Sequence, residues 1–171
     1  MKKKGFTLVE LLAVIAILAI LVIIALPNIM SLFNEAKKNS FANELKELHK
    51  TAQNQWMSDS LIETADKYYA REAVTNCTST PLQLSGRTQL KYGIKVNKAG
   101  NVVNFVATDG TYVYQYNNAT TPLLIENVGS VTTANSTNPE KTPNMVIRLT
   151  DYSKTKATIT CTSGVYGLNI E

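Results

Sequence analysis

Residues 3–27 read KKGFTLVELLAVIAILAILVIIALP, and their interpretation decides the fold. Positions 6–26 make a stretch of 21 residues, long enough for a helix to cross a hydrocarbon core of roughly 30 Å. Glu10 is the one charged residue among them. A carboxylate at the centre of a bilayer costs about 2.5–3.5 kcal/mol, and less toward an end, so its retention points to a function and to a partner that must be identified.

Lys2, Lys3 and Lys4 stand directly before the apolar run. Such a cluster holds the N-terminus on the cytoplasmic side and places everything after Leu26 outside. Two plainer readings compete. A secretory signal peptide carries an apolar region of about 7–15 residues and a small-residue cleavage site, whereas this run is longer and lacks A-x-A near its end. An uncleaved signal anchor accounts for the lysines and the length but leaves Glu10 without a purpose.

The net charge of +4 depends on the same lysines: without those three, Lys+Arg falls from 17 to 14 against 13 Asp+Glu. No basic run marks the rest of the chain, so no direct nucleic-acid binding is expected. With 44% hydrophobic residues, about 145 positions after Leu26 suffice for one domain core.

The stretch Gly5-Phe6-Thr7-Leu8-Val9-Glu10 resembles the processing site of type IV pilins and pseudopilins, the class III signal of the type IV filament superfamily. The shared features are the short basic leader, Gly5 before Phe6, Glu10 as fifth residue after the cut, the apolar run and Pro27 at its end. The resemblance covers roughly the first 55 residues. It implies that a prepilin peptidase cuts between Gly5 and Phe6 and methylates the new amine of Phe6. It also implies recruitment by a membrane assembly platform into a helical homo-oligomer, with a host or surface ligand as a further partner.

Cleavage would create an ammonium on Phe6, about one helical turn from Glu10, and the same group on a neighbouring subunit is the intermolecular partner. In a water-excluded filament core, pairing offsets a desolvation penalty that either charge would bear alone. Glu10 then marks register, as a single buried polar residue does in coiled coils. Pro27 has two readings. It kinks a continuous helix around residues 23–27, the favoured one, or it opens a second helix at its first turn.

Past Pro27 the pattern turns amphipathic. Phe41, Leu45, Leu48, Ala52 and Trp56 recur every three or four residues and lay one apolar stripe along a helix that runs over residues 6–57. His49 and Trp56 are single residues with no ligand constellation around them and read as packing or surface residues. Ser60-x-x-Glu63 has capping-box spacing and predicts a second helix over 61–74. Strands are expected at 89–96, 101–108 and 111–116, with Asp109-Gly110 as a two-residue hairpin turn. Tyr112, Tyr114 and Tyr116 share one strand face, for sheet packing or a filament surface stripe.

Residues 117–143 are rich in Asn, Thr, Ser and Pro and predict a loop-dominated insertion with one short strand at 123–126. A last hairpin is expected between 144–151 and 156–162, its second strand apolar on one face and solvated on the other. The resulting fold class is α+β, a long N-terminal helix against an antiparallel sheet in the manner of type IV pilins. Residues 1–5 are the leader, 6–26 the membrane and filament-core helix, 27–57 its amphipathic half and 58–171 the head.

Cys77 and Cys161 are the two cysteines. In an extracytoplasmic chain they read as one disulfide closing a loop of about 85 residues, with two buried thiols as the alternative. No catalytic constellation, cofactor motif or metal-ligand spacing is present in the sequence, so no enzyme, cofactor or metal is expected. Three functions follow: a subunit of an extracellular pilus, a pseudopilin of a secretion or DNA-uptake piston, or a signal-anchored binding protein that never polymerises.

Overall fold

The computed structural model describes residues 5–62, 65–71, 74, 77–84, 90–129 and 145–171. The chain divides into two units, Met1–Lys37 and Lys38–Glu171, and each is described by itself. In the first unit helix α1, which spans Leu8–Asp59, carries the apolar run, and Pro27 lies inside it. Pro27 therefore does not open a second helix. It forgoes one backbone bond, and the helix continues through it from Ala25 and Leu26 to Met30 and beyond.

In the second unit the amphipathic half of α1 is the spine of the core. Phe41, Leu45, Leu48 and Ala52 are buried and Trp56 is partly buried, as their spacing predicts. Fully burying each large side chain contributes about 1.5–3 kcal/mol. They pack on an antiparallel five-stranded sheet in the order β1 (Lys67–Ala70), β2 (Lys91–Val96), β3 (Val102–Thr108), β4 (Tyr112–Asn117) and β5 (Ile147–Arg148). Tyr112, Tyr114 and Tyr116 lie in this core, which settles their face in favour of sheet packing. Trp56 rests on the β2–β3 turn at Gly100, where a Cβ would come within 2.8 Å of the indole.

The reverse face of the sheet is covered too. Strands β6 (Ala157–Thr162) and β7 (Val165–Ile170) form a separate antiparallel hairpin. Cys161 and Tyr166 from it pack with Ala70 and Val106 of the sheet. Every residue of β3 is consequently buried. Tyr166 approaches so closely that a Cβ added to Gly93 would stand 2.5 Å from its ring. One polar residue in this layer, Asn104, is 1% exposed. Its Nδ2 donates to the carbonyls of Tyr166 at 2.9 Å and Tyr116 at 3.2 Å, and its Oδ1 accepts from the Tyr166 N–H at 2.7 Å. The side chain thus plays the part of a neighbouring strand and ties β7 to the sheet.

Four expectations are corrected. No helix forms over 61–74 among the described residues: Ser60 donates its hydroxyl to the Met57 carbonyl at 3.0 Å, closing α1 rather than opening a helix. Lys67–Ala70 instead pair with β2, burying Tyr69, whose hydroxyl donates to Asp59 at 2.9 Å. The late hairpin is β6–β7, not 144–151 with 156–162, and β5 pairs with β4. Its turn residues Ser163 and Gly164 both have positive φ, 51° and 75°, the twist-compatible geometry of a two-residue connection.

The short strand expected at 123–126 is instead a 3-10 turn, Ile125–Asn127. Leu123 is already committed there, its N–H to the Val102 carbonyl and its own carbonyl to His49. The β3–β4 connection takes three residues, 109–111, rather than two. Asp109 explains the longer turn, since its Oδ1 accepts from the N–H groups of Thr111 at 2.8 Å and Tyr112 at 2.7 Å. Most of the expected insertion, residues 130–144, lies outside the described residues.

Candidate functional site

The start of α1 brings Thr7 and Glu10 together. Glu10 Oε2 accepts from the Thr7 N–H at 2.9 Å and from Thr7 Oγ1 at 2.7 Å, while the Glu10 N–H donates back to Thr7 Oγ1 at 3.3 Å. This is a reciprocal capping box, which satisfies two backbone donors that the first turn would otherwise leave open. The T-x-x-E spacing carries that signal in the sequence, although only Glu10 stands out there. Phe6 is joined to Gly5 in this unprocessed chain, so its nitrogen is an amide. Gly5 and Phe6 are both exposed, Phe6 by 82%.

From Phe6 the exposed apolar side chains continue through Leu12, Ile17, Leu26 and Phe33. The helix is long and apolar enough to cross a membrane. An exposed apolar surface of this extent cannot be left in water, so lipid or other apolar helices must cover it. It outlasts residues 6–26: Ile29, Met30, Leu32 and Phe33 are exposed beyond Pro27.

The remaining singled-out residues lie in the second unit. The structure joins Cys77 and Cys161 with their Cα atoms 6.1 Å apart, linking the segment after β1 to strand β6. His49 is buried, and its Nε2 donates to the Leu123 carbonyl at 2.7 Å. Burial holds its imidazole below the ordinary range, against the opposing pull of that carbonyl and of Glu126. Trp56 packs as described above. Sequence reasoning misses Asn104, whose one signal is a polar residue in the middle of the apolar run VVNFVAT.

Residues 1–26 match the prokaryotic N-terminal methylation motif. No curated protein and no solved structure gives a significant match to the chain. The motif implies processing by a prepilin peptidase and filament assembly in general, and it marks a structural rather than enzymatic family. With the apolar helix it fits a membrane-anchored pilin that is later extracellular. Motif, apolar helix and helix-on-sheet head together support a type IV pilin-like or pseudopilin-like protein.

Proposed function

We propose that the chain is the structural subunit of an extracellular type IV pilus serving adhesion, surface motility or biofilm. The observation that carries this reading is the exposed apolar half of α1, which begins within the methylation motif and continues past its end to Phe33. Cleavage falls between Gly5 and Phe6, and Phe6 is then N-methylated. The apolar helix serves first as a membrane anchor, N-terminus in the cytoplasm, and then as filament core against its copies. Glu10 pairs with the Phe6 ammonium of a neighbour and sets register as the assembly platform adds subunits. Thr7 hydrogen-bonds the carboxylate before that partner arrives. Pro27 carries the helix from the core segment toward the head. The head's surface meets the host or abiotic ligand.

Cys77 and Cys161 form a disulfide in the exported protein, clamping β6 onto the head. The second reading, a pseudopilin acting as a short piston, shares the same motif and helix. A head with two covered sheet faces and a polar insertion favours display on a pilus. Electron microscopy of cells labelled against the head decides: long labelled filaments support the pilus, short stubs the piston, and diffuse membrane label a chain that never polymerises.

A further inference from the structure

We propose that His49 is an acid-released latch that holds segment 123–129 on helix α1. The segment touches the helix at two points on one face, seven residues apart. Leu123 gives its carbonyl to His49 Nε2 at 2.7 Å, and Gly129, at φ +69°, comes so close to Ala42 that a Cβ would stand 3.1 Å from the Ala42 Cβ. Leu123 and Val128 are buried, whereas Leu124, Ile125, Glu126 and Asn127 between them are exposed. The segment is therefore a strap pinned at its ends.

The ring is the weak point of the strap. His49 is 1% exposed, and its second nitrogen, Nδ1, is buried without a hydrogen-bond partner among the described residues. The neutral ring meets its surroundings well, because Nε2–H donates to a carbonyl and Nδ1 is a modest acceptor. A second proton places a charge in an apolar core and a new N–H donor where no partner stands among the described residues. Glu126 on the strap is the acidic group whose field reaches the ring. On α1, the charged residues within one turn, Lys46, Glu47 and Lys50, are exposed. The sheet face toward α1 carries Tyr69, Tyr92, Tyr112, Tyr114 and Tyr116, which burial keeps neutral at acidic and neutral pH, and, by strand register, the basic residues Lys67 and Arg148.

The direction follows from linkage. With burial holding the latched ring below the ordinary imidazole value, the open state binds more protons as pH falls, so acid favours opening. Hydration of the ring needs release of the Leu123 carbonyl, of the Leu123 N–H from Val102 and of the two buried apolar side chains Leu123 and Val128, not loss of the sheet. Local opening is the smaller event. Opening joins Leu123 and Val128 to the already exposed Leu124 and Ile125 in one apolar surface.

His49 is the single histidine of the chain, so one imidazole resonance needs no assignment. The test is an NMR titration of the full chain in detergent micelles, with ring-labelled histidine and amide nitrogen labels, from neutral pH to about pH 4.5. The latch requires a histidine midpoint below the ordinary imidazole value, with the amides of Leu123 and Val128 moving at that same midpoint and those of Phe105 and Ala107 unmoved. His49→Gln, which keeps a donor but cannot titrate, should leave the strap amides flat. Titration at the ordinary value, a ring that titrates while the strap amides stay still, a ring that stays neutral until the whole head unfolds, or an unchanged strap transition in the Gln variant each overturn the proposal. If that variant fails to fold, the wild-type titration alone decides.

Discussion

Replacing Asn104 by Leu tests whether one side chain holds the β6–β7 hairpin to the sheet. Leu keeps the branch at Cγ but cannot hydrogen-bond, and its larger end groups add crowding in a layer where Asn104 is already buried. It leaves the buried N–H and C=O of Tyr166 without the partners they have at 2.7 and 2.9 Å. Each orphaned backbone group costs about 1–3 kcal/mol, so the two together cost roughly 2–6 kcal/mol, a large share of a total stability of about 5–15. The extra apolar burial of Leu offsets part of this. We expect a net loss of about 2–4 kcal/mol and a melting temperature lower by on the order of 10 °C. Urea titration and thermal melts of a chain lacking residues 1–30 measure both quantities. Hydrogen exchange at Tyr166 should accelerate more than exchange at Phe105, because β7 detaches before the sheet opens. A variant within about 0.5 kcal/mol of wild type, with Tyr166 still protected, would refute the reasoning.

Processing and assembly give further expectations. Gly5→Leu should block removal of the leader, which intact-mass analysis reads directly; a normally shortened chain counts against the cleavage assignment. Glu10→Ala should insert in the membrane as well as wild type yet yield few filaments in sheared preparations, and wild-type yield would sink the pairing scheme. Non-reducing peptide mapping of the exported protein should recover one peptide pair joined through Cys77 and Cys161, and two freely alkylated thiols would contradict the bridge. Deleting residues 1–30 removes the apolar half of α1 but keeps the stripe from Phe41 to Trp56, so the fragment should be a soluble, cooperatively folding monomer by light scattering and melting. Regular filaments from that fragment would show that the apolar helix is not the polymer core.

The features legible in the chain are those whose physics is local. A long apolar run behind three lysines, a glycine at the head of it and a carboxylate five residues on can be read without knowing what folds around them, because each is defined by its immediate neighbours in the chain. The stripe Phe41, Leu45, Leu48, Ala52 and Trp56 is legible for a related reason: a helix converts a spacing of three or four directly into one face. Strands β2, β3 and β4 are likewise readable from β-branched and aromatic residues between turn signals.

The misread helix at 61–74 and strand at 123–126 give way to partners distant in sequence, whereas the turn at 109–111 is set locally by Asp109. Ser60 and Glu63 carry the spacing of a capping box, but β2 stands ready to pair with Lys67–Ala70, and a buried Tyr69 reaching Asp59 outweighs a local cap. The strand at 157–162 is legible while its partner is not, because the segment before it and the segment after it both offer a hairpin, and the structure takes the turn at Ser163-Gly164. The proposed N-terminal site is written in the sequence alone: Gly5 and Phe6 stand just before α1 and Glu10 in its first turn, and Thr7 joins Glu10 by the same short-range geometry. The roles of Asn104, His49 and Gly93 are decided by tertiary structure, for each answers to a residue between 62 and 74 positions away along the chain or to a ring that only packing brings near. A polar group in an apolar run has meaning once its hydrogen-bond partner is known, and local sequence cannot supply a partner that folding alone brings within about 3 Å.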